Sequence, residues 1–173
     1  MARTPSSMLP LGTPLPPFEL SDTVSGAMVA SADPSPNGLL VMFLSNHCPY
    51  VQHVLPRLTE LTAAWVARGL RIVAINANSE VSHPQDGPPH MRELARALGW
   101  RFPFCFDADQ RVAHAFTARC TPDCHRAPQT THVRLLAARS LNAGFVCYSA
   151  GCWRRGTAGS GFAPRARPQA SIG

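Results

Sequence analysis

The stretch LLVMFLSNHCPYV, residues 39–51, determines how this sequence can fold. Six apolar residues in a row, 39–44, predict a strand that is buried on both faces. A helix should begin at Pro49, because proline lacks the backbone N–H that has no partner in a first helical turn. Cys48 therefore lies where a buried strand passes into a helix.

Strands and helices alternate outward from this junction. The helix should run from Pro49 to Arg68 and end at Gly69, and residues 70–75 should form a second buried strand. The alternation predicts an α/β protein with parallel strands, whose active site lies beyond the carboxyl ends of those strands. The other predicted elements are a β-hairpin over residues 18–30, a helix over 91–98, a strand over 102–106 and a helix over 109–116 with Asp109 as its N-cap.

Charge is divided unevenly along the 173 residues. Residues 1–123 hold nine Arg and all ten acidic residues, a formal charge of −1, whereas residues 124–173 hold seven Arg and no acidic residue, a formal charge of +7. The composition thus changes just after Asp123. We predict one domain over residues 1–123 and an atypical basic tail, largely disordered or out of frame, over 124–173.

Cellular context follows from what the sequence does not contain. No apolar run reaches the ~18 residues that suggest a membrane span, and the Pro-rich start lacks the apolar core of a signal peptide. We therefore expect a cytoplasmic protein without a membrane partner, in which the six cysteines are reduced thiols, metal ligands or redox groups rather than structural disulfides.

Cys48 is the candidate reactive group of the chain. The thiolate is the reactive form of cysteine, and unpaired N–H groups and the dipole at a helix N-terminus lower the pKa of a thiol placed there. The neighbouring Asn46 and His47 offer hydrogen bonds or charge. The alternative is that Cys48 is merely a small buried apolar residue.

Several motifs resemble those of the thioredoxin-like superfamily. Residues 44–51, LSNHCPYV, are similar to its strand–cysteine–helix junction, and CPY at 48–50 resembles the start of a glutaredoxin-type CPYC. CTPD at 120–123 resembles the cis-proline loop, and residues 9–26 resemble the N-terminal extension of the AhpC/TSA, or peroxiredoxin-like, redoxins. The resemblance implies a thioredoxin-like fold and antioxidant thiol oxidoreductase activity with Cys48 as catalytic residue. Expected to support that site are Ser45, Asn46, His47, Pro49, Tyr50, Thr121 and Pro122.

Departures from these families bear on the mechanism. Val51 stands where CPYC has its second cysteine, so a disulfide within one helical turn is impossible. Peroxiredoxins carry Thr or Ser three residues before their cysteine, as Ser45 provides, but Val41 replaces their proline and Arg119 is the nearest candidate for their arginine. Cys120, in the loop that abuts the reactive cysteine in this fold, is either a resolving cysteine or a small packing residue.

The predicted function is that of a monothiol oxidoreductase. Cys48 would attack a peroxide or a disulfide and be restored by a small thiol or a protein thiol. The alternative is a binding or sensor module of the same fold without turnover, or a damaged copy of an enzyme. No cofactor motif occurs, so no cofactor is expected; the substrate, electron donor and oligomeric state stay open.

The tail departs from what the fold requires. Two antiparallel strands and a final helix should follow the cis-proline, but residues 124–173 are rich in Arg, Ala, Ser, Pro and Gly. Either the ending diverged naturally or a frameshift replaced it, and the loss of every acidic residue favours a frameshift. We expect these elements to be missing or replaced, which would uncover the strand at 102–106, with residues 131–138 and 143–150 as candidate substitute strands.

Two further patterns in the tail carry little weight. No metal site is predicted, because the Cys and His residues with loosely suitable spacings do not form the paired C-x2-C motifs of a zinc site. These residues are Cys120, Cys124, His125, Cys147 and Cys152. The scattered Arg residues accompany no nucleic-acid motif, so no specific nucleic acid is expected as a partner.

Overall fold

A computed structural model describes residues 7, 9, 10 and 12–127, together with the backbone of 145–148 and 151–154. The elements, in chain order, are β1 (Glu19–Ser21), β2 (Met28–Ala30), β3 (Leu39–Phe43), α1 (Pro49–Ala67), β4 (Arg71–Asn76), a one-turn 3-10 helix (Pro84–Asp86), α2 (Pro88–Ala97), β5 (Phe104–Phe106), α3 (Arg111–Ala115), β6 (Asp123–Ala127), β7 (Phe145–Tyr148) and β8 (Gly151–Arg154).

A four-stranded sheet in the order β5-β4-β3-β6 forms the centre of the fold. The pairs β3–β4 and β4–β5 are parallel, and β6 pairs antiparallel with β3. The continuous apolar run predicted β3 correctly, since all five of its residues are buried. The parallel strands end at one edge of the sheet, and that is where the chain enters α1.

The two faces of the sheet are covered by different elements. Alternate residues of β3 and β4 point to opposite faces, because side chains in a strand alternate. Leu40, Met42 and Ile72 pack with residues of α1 and α2 in one core cluster. On the other face, Val41 and Val73 pack with residues of the β1–β2 hairpin and α3. The sheet is therefore covered on both sides, as its apolar strands require.

α1 begins at the predicted residue, Pro49, and ends at Ala67, one residue before the predicted Arg68. Cys48 is its N-cap residue, Pro49 occupies the first turn, and the helix continues through Pro56 to Ala67. Gly69 adopts a left-handed φ of +78°, and a Cβ there would meet the Asn37 side chain at 2.4 Å. Glycine therefore ends the helix, as predicted, for both conformational and steric reasons.

The N-cap predicted for α3 was wrong. Gln110 is the N-cap residue of α3, in a left-handed conformation, and Asp109 lies one residue before it. Asp107 instead accepts hydrogen bonds from the backbone N–H groups of Val112 and Ala113, at 3.3 and 2.8 Å. Burial raises the pKa of Asp107, against the effect of these backbone hydrogen bonds.

The sheet continues past the predicted domain boundary at Asp123. Residues 124–127 belong to β6, and they alternate between partly buried and buried positions although two of the four, His125 and Arg126, are polar. This strand pairs with β3 over its full length. The domain boundary predicted from composition therefore falls inside β6, because the last acidic residue, Asp123, is the first residue of this strand.

The predicted exposure of the strand at 102–106 was also wrong. β5 lies at the opposite edge of the sheet from β6, and Phe104 is fully buried. Asp22, after β1, accepts a hydrogen bond from the backbone N–H of Phe104 at 3.0 Å, and the N–H of Thr23 donates to the Phe104 carbonyl at 3.0 Å. Among the described residues, the N-terminal hairpin covers this strand.

The C-terminal region contributes one described hairpin. β7 pairs antiparallel with β8, in agreement with the candidate strand at 143–150, while Trp153 and Arg154 lie in β8 although a disordered segment was predicted there. The candidate strand at 131–138 lies outside the described residues. Within the described part of the chain, no helix has the length and apolar character needed to cross a bilayer.

Candidate active site

Cys48 lies at the carboxyl end of the central strand, at the N-cap of α1. Its side chain is partly exposed, and its thiol donates a hydrogen bond to the carbonyl oxygen of Thr121 at 3.3 Å. The Thr121–Pro122 peptide bond is cis, as the resemblance implied. Cys48 and the cis-proline loop, 73 residues apart in sequence, are thus neighbours in space.

The carboxylate of Asp86 holds the loop that leads into Cys48. Asp86 has no exposed surface. Its Oδ1 accepts hydrogen bonds from the backbone N–H groups of Asn46 and His47, at 2.6 and 3.3 Å. The Ser45 hydroxyl lies 3.2 Å from each carboxylate oxygen, and Nδ1 of His47 contacts Oδ2. Three consecutive residues before the thiol are therefore tied to one buried side chain.

Two asparagines complete the shell around this carboxylate. Nδ2 of Asn76, at the end of β4, donates to Oδ1 at 3.1 Å, and Nδ2 of Asn78 donates to Oδ2 at 2.9 Å. Burial by itself raises the pKa of Asp86, but the hydrogen bonds from Asn78, His47, Asn76 and Asn46 outweigh it. The pKa of Asp86 therefore lies below its usual value, and the group is a carboxylate at neutral pH.

A second histidine covers the ring of His47. The ring of His83 stacks on it, with centroids 4.0 Å apart and planes inclined by 10°. His83 precedes the 3-10 helix that carries Asp86, and its Nδ1 lies 3.0 Å from the Ser82 hydroxyl. His83 belongs to none of the motifs from which the site was predicted, so its place beside His47 is an additional finding.

The structure brings together most of the residues predicted for the site. Ser45 is buried, and its described contacts are with His47 and Asp86. Tyr50, in the first turn of α1, is 36% exposed. Cys120 is partly exposed and is joined through the chain to Thr121.

The remaining cysteines with described side chains differ from Cys48 in their surroundings. Cys105 is fully buried in the sheet, and burial raises its pKa to about 12, so its thiol is inert at neutral pH. Cys124 is partly buried against the core cluster that α1 covers. None of the four cysteines described takes part in a disulfide.

A groove of ≈ 390 Å³ lies beside the site, between α1 and α2. Its walls include Ser45, Val51, Gln52 and Leu94. Cys48 and Thr121 are not among its lining residues, so the groove is separate from the place where the thiol meets the cis-proline loop.

This chain is similar in sequence to a known family and in structure to two solved proteins. Residues 11–134 match the model of the AhpC/TSA family. An uncharacterized conserved protein from Geobacillus kaustophilus is similar in structure, with a TM-score of 0.72 and 35% identity over 84% of this chain and 79% of that chain. A hypothetical protein from Sinorhizobium meliloti 1021 gives a TM-score of 0.71 and 35% identity over 76% and 71% of the two chains. The comparison with curated proteins gives no match.

A more distant likeness concerns the fold. The thioredoxin domain of a thiol-disulfide oxidoreductase from Bacteroides vulgatus shares 14% identity, with a TM-score of 0.60 over 74% of this chain and 86% of that chain. The mixed sheet, the cysteine at the start of α1 and the cis-proline loop beside it define a thioredoxin-fold redoxin. Within that class, the chain belongs to the AhpC/TSA family.

Proposed function

We propose that this redoxin catalyses thiol–disulfide exchange with Cys48 as the attacking thiol. The observation that carries the proposal is the position of this thiol, partly exposed at the N-cap of α1 and 3.3 Å from the Thr121 carbonyl. A helix N-terminus offers unpaired N–H groups to a thiolate. Val51 occupies the position three residues later, where a second cysteine would stand, so a partner thiol has to come from elsewhere.

The exchange consists of two substitutions at sulfur. The Cys48 thiolate attacks one sulfur of a disulfide, forms a mixed disulfide with it, and releases the other sulfur as a thiolate that takes up a proton. A second thiol, from a small molecule or a protein, then attacks the substrate-derived sulfur of the mixed disulfide. A new substrate disulfide forms, and the Cys48 thiolate is restored. Cys120 is the candidate internal thiol for a different second step, in which it attacks the Cys48 sulfur, forms a Cys48–Cys120 disulfide and releases the substrate-derived sulfur as a thiolate that takes up a proton.

The position and contacts of Ser45 favour disulfides over peroxides as the substrate class. A peroxiredoxin-like role would place this hydroxyl at the reactive cysteine, but its described contacts are with Asp86 and His47, and Ser45 is 1% exposed. Arg119, the nearest candidate for the peroxiredoxin arginine, is exposed. Peroxide reduction is therefore the second candidate, and membership of the AhpC/TSA family is what favours it.

Cys48→Ser should reduce turnover to the rate measured without protein. The assay is the reduction of bis(hydroxyethyl) disulfide by glutathione, followed through a coupled reductase, with hydrogen peroxide as the substrate in a parallel arm. Cys105→Ala is the matched control and should retain activity, because that thiol is buried and its pKa is about 12. Turnover of peroxide alone would favour the peroxidase, and no turnover in either arm would favour a binding or sensor module.

A further inference from the structure

The C-terminal hairpin places two cysteines directly opposite each other. β7 and β8 pair antiparallel, and in their register Cys147 is the partner of Cys152. Tyr148 is the partner of Gly151, and only two residues lie between them in the chain. The reaction proposed above for Cys48 uses neither of the two opposed cysteines.

The backbone pattern of the hairpin identifies the type of this pair. Opposite residues of an antiparallel ladder alternate between hydrogen-bonded and non-hydrogen-bonded pairs. In a hairpin with two residues between its strands, the pair next to those two residues is hydrogen-bonded, and here that pair is Tyr148 and Gly151. Cys147 and Cys152 lie one position further along the ladder, so they form a non-hydrogen-bonded pair.

The backbone spacing of such a pair is compatible with a disulfide. The Cα atoms of a non-hydrogen-bonded pair are about 4.5 Å apart, closer than those of a hydrogen-bonded pair. A disulfide joins residues whose Cα atoms are about 4.4–6.8 Å apart. Cys147 and Cys152 also share one face of the hairpin, because directly opposite residues do. The two strands therefore do not have to change register for a bond to form between these residues.

We propose that Cys147 and Cys152 form a reversible disulfide across the β7–β8 hairpin, a redox site that is separate from Cys48 and goes beyond the proposed function. The oxidant is a small disulfide such as glutathione disulfide. One of the two cysteines attacks it as a thiolate, forms a mixed disulfide and releases one glutathione. The other cysteine, also as a thiolate, attacks the protein sulfur of the mixed disulfide and releases the second glutathione. Two electrons and two protons thus pass from the cysteine pair to the two glutathione molecules.

The bond can be measured directly, because trypsin releases both cysteines in one peptide. No Lys or Arg lies between Arg139 and Arg154, so the peptide spans residues 140–154, and it contains no other cysteine. The full chain is equilibrated with mixtures of glutathione and glutathione disulfide, quenched with acid, alkylated and digested. We expect the oxidised peptide to have the mass of the unalkylated peptide less two hydrogen atoms, and to carry no glutathione.

A matched control exchanges Cys147 with its neighbour. Val146→Cys combined with Cys147→Val keeps the composition and moves one cysteine to the position opposite Trp153. Because successive residues of a strand lie on opposite faces, the two cysteines of this variant no longer share a face.

The two proteins are compared by the effective concentration of each cysteine pair. This quantity is the square of the glutathione concentration divided by the glutathione disulfide concentration, at half-oxidation of the pair. The wild-type value should exceed that of the exchanged variant by about tenfold or more, because the hairpin holds only the wild-type pair together. In concentrated urea the two values should agree to within about twofold, because nearly the same length of chain separates the cysteines.

The outcomes distinguish this inference from the proposed function. Equal effective concentrations without urea would overturn the inference, and so would a wild-type peptide that stays reduced or carries two glutathiones. Cys48→Ser should form the hairpin disulfide as the wild type does, since the bond needs no other thiol of the chain. If the wild type shows no turnover at Cys48 but forms this disulfide, the proposed function fails and the inference is supported.

Discussion

Replacing Asp86 with Ala should lower the free energy of unfolding by about 3–5 kcal/mol, because it leaves several buried donors without an acceptor. Those donors are the backbone N–H of Asn46 and the side-chain amides of Asn76 and Asn78, which now bind the carboxylate at 2.6, 3.1 and 2.9 Å. The substitution also leaves a cavity at a position with no exposed surface. Urea unfolding followed by circular dichroism measures the change.

Glu60→Ala is the control for this substitution. Glu60 pairs with Arg57 on the surface of α1, and both side chains are more than half exposed. Its removal should change the free energy of unfolding by less than about 0.5 kcal/mol. An Asp86→Ala protein as stable as the wild type would show that the loop before Cys48 does not depend on this carboxylate.

Lowering the pH from about 7 to about 5 should cost about 2 kcal/mol of stability through His125 alone. This side chain is 1% exposed, and Phe43 and Phe116 meet its ring edge to face. Within the described residues, neither of its ring nitrogens has a hydrogen-bond partner. Burial therefore lowers the pKa of His125 from 6.5 to about 4.

Stability falls with the pH because the unfolded state binds a proton that the folded state does not. Above pH 6.5, His125 is neutral in both states and costs nothing. As the pH falls from 6.5 towards 4, the unfolded chain binds a proton that the folded protein does not, so stability is lost through this window. The pKa values of Asp22 and Asp86 are lowered from 3.8, so their contribution is lost chiefly at more acidic pH.

His125→Leu should remove this contribution. The variant has a similar side-chain volume and no titrating group, so the difference between its unfolding free energies at the two pH values should be smaller by about 2 kcal/mol. His53→Gln, at an exposed position of α1, should retain the wild-type difference. Equal pH dependence in the wild type and His125→Leu would mean that burial does not lower the pKa of His125 in the folded protein.

The parts of the fold that were predicted from sequence are those with strong local patterns. The apolar run at 39–44 predicted β3, and Pro49 and Gly69 marked the start and the end of α1, so Cys48 was placed correctly between the two elements. β6 is different, because its burial alternates beneath mostly polar letters and depends on its pairing with β3. A strand that forms because it pairs with a neighbouring strand is difficult to predict from its own residues.

Asp86 shows why the site was only partly predicted. It lies 40 residues from Asn46, in a Pro-rich loop where an acidic residue reads as solvent-exposed. Only the fold brings it under the loop that precedes Cys48. A buried carboxylate that binds donors from several segments has no local spacing by which to recognise it, whereas a thiol at a strand–helix junction does.

The most direct test of a reactive Cys48 is a peptide map of the protein after incubation with glutathione disulfide. We expect one glutathione, on Cys48, which excess thiol removes. Conversion of the adduct to a Cys48–Cys120 disulfide would give Cys120 the resolving role, and a lasting adduct would assign it to packing. A map in which Cys48 is unmodified while other cysteines carry the adduct would contradict the account.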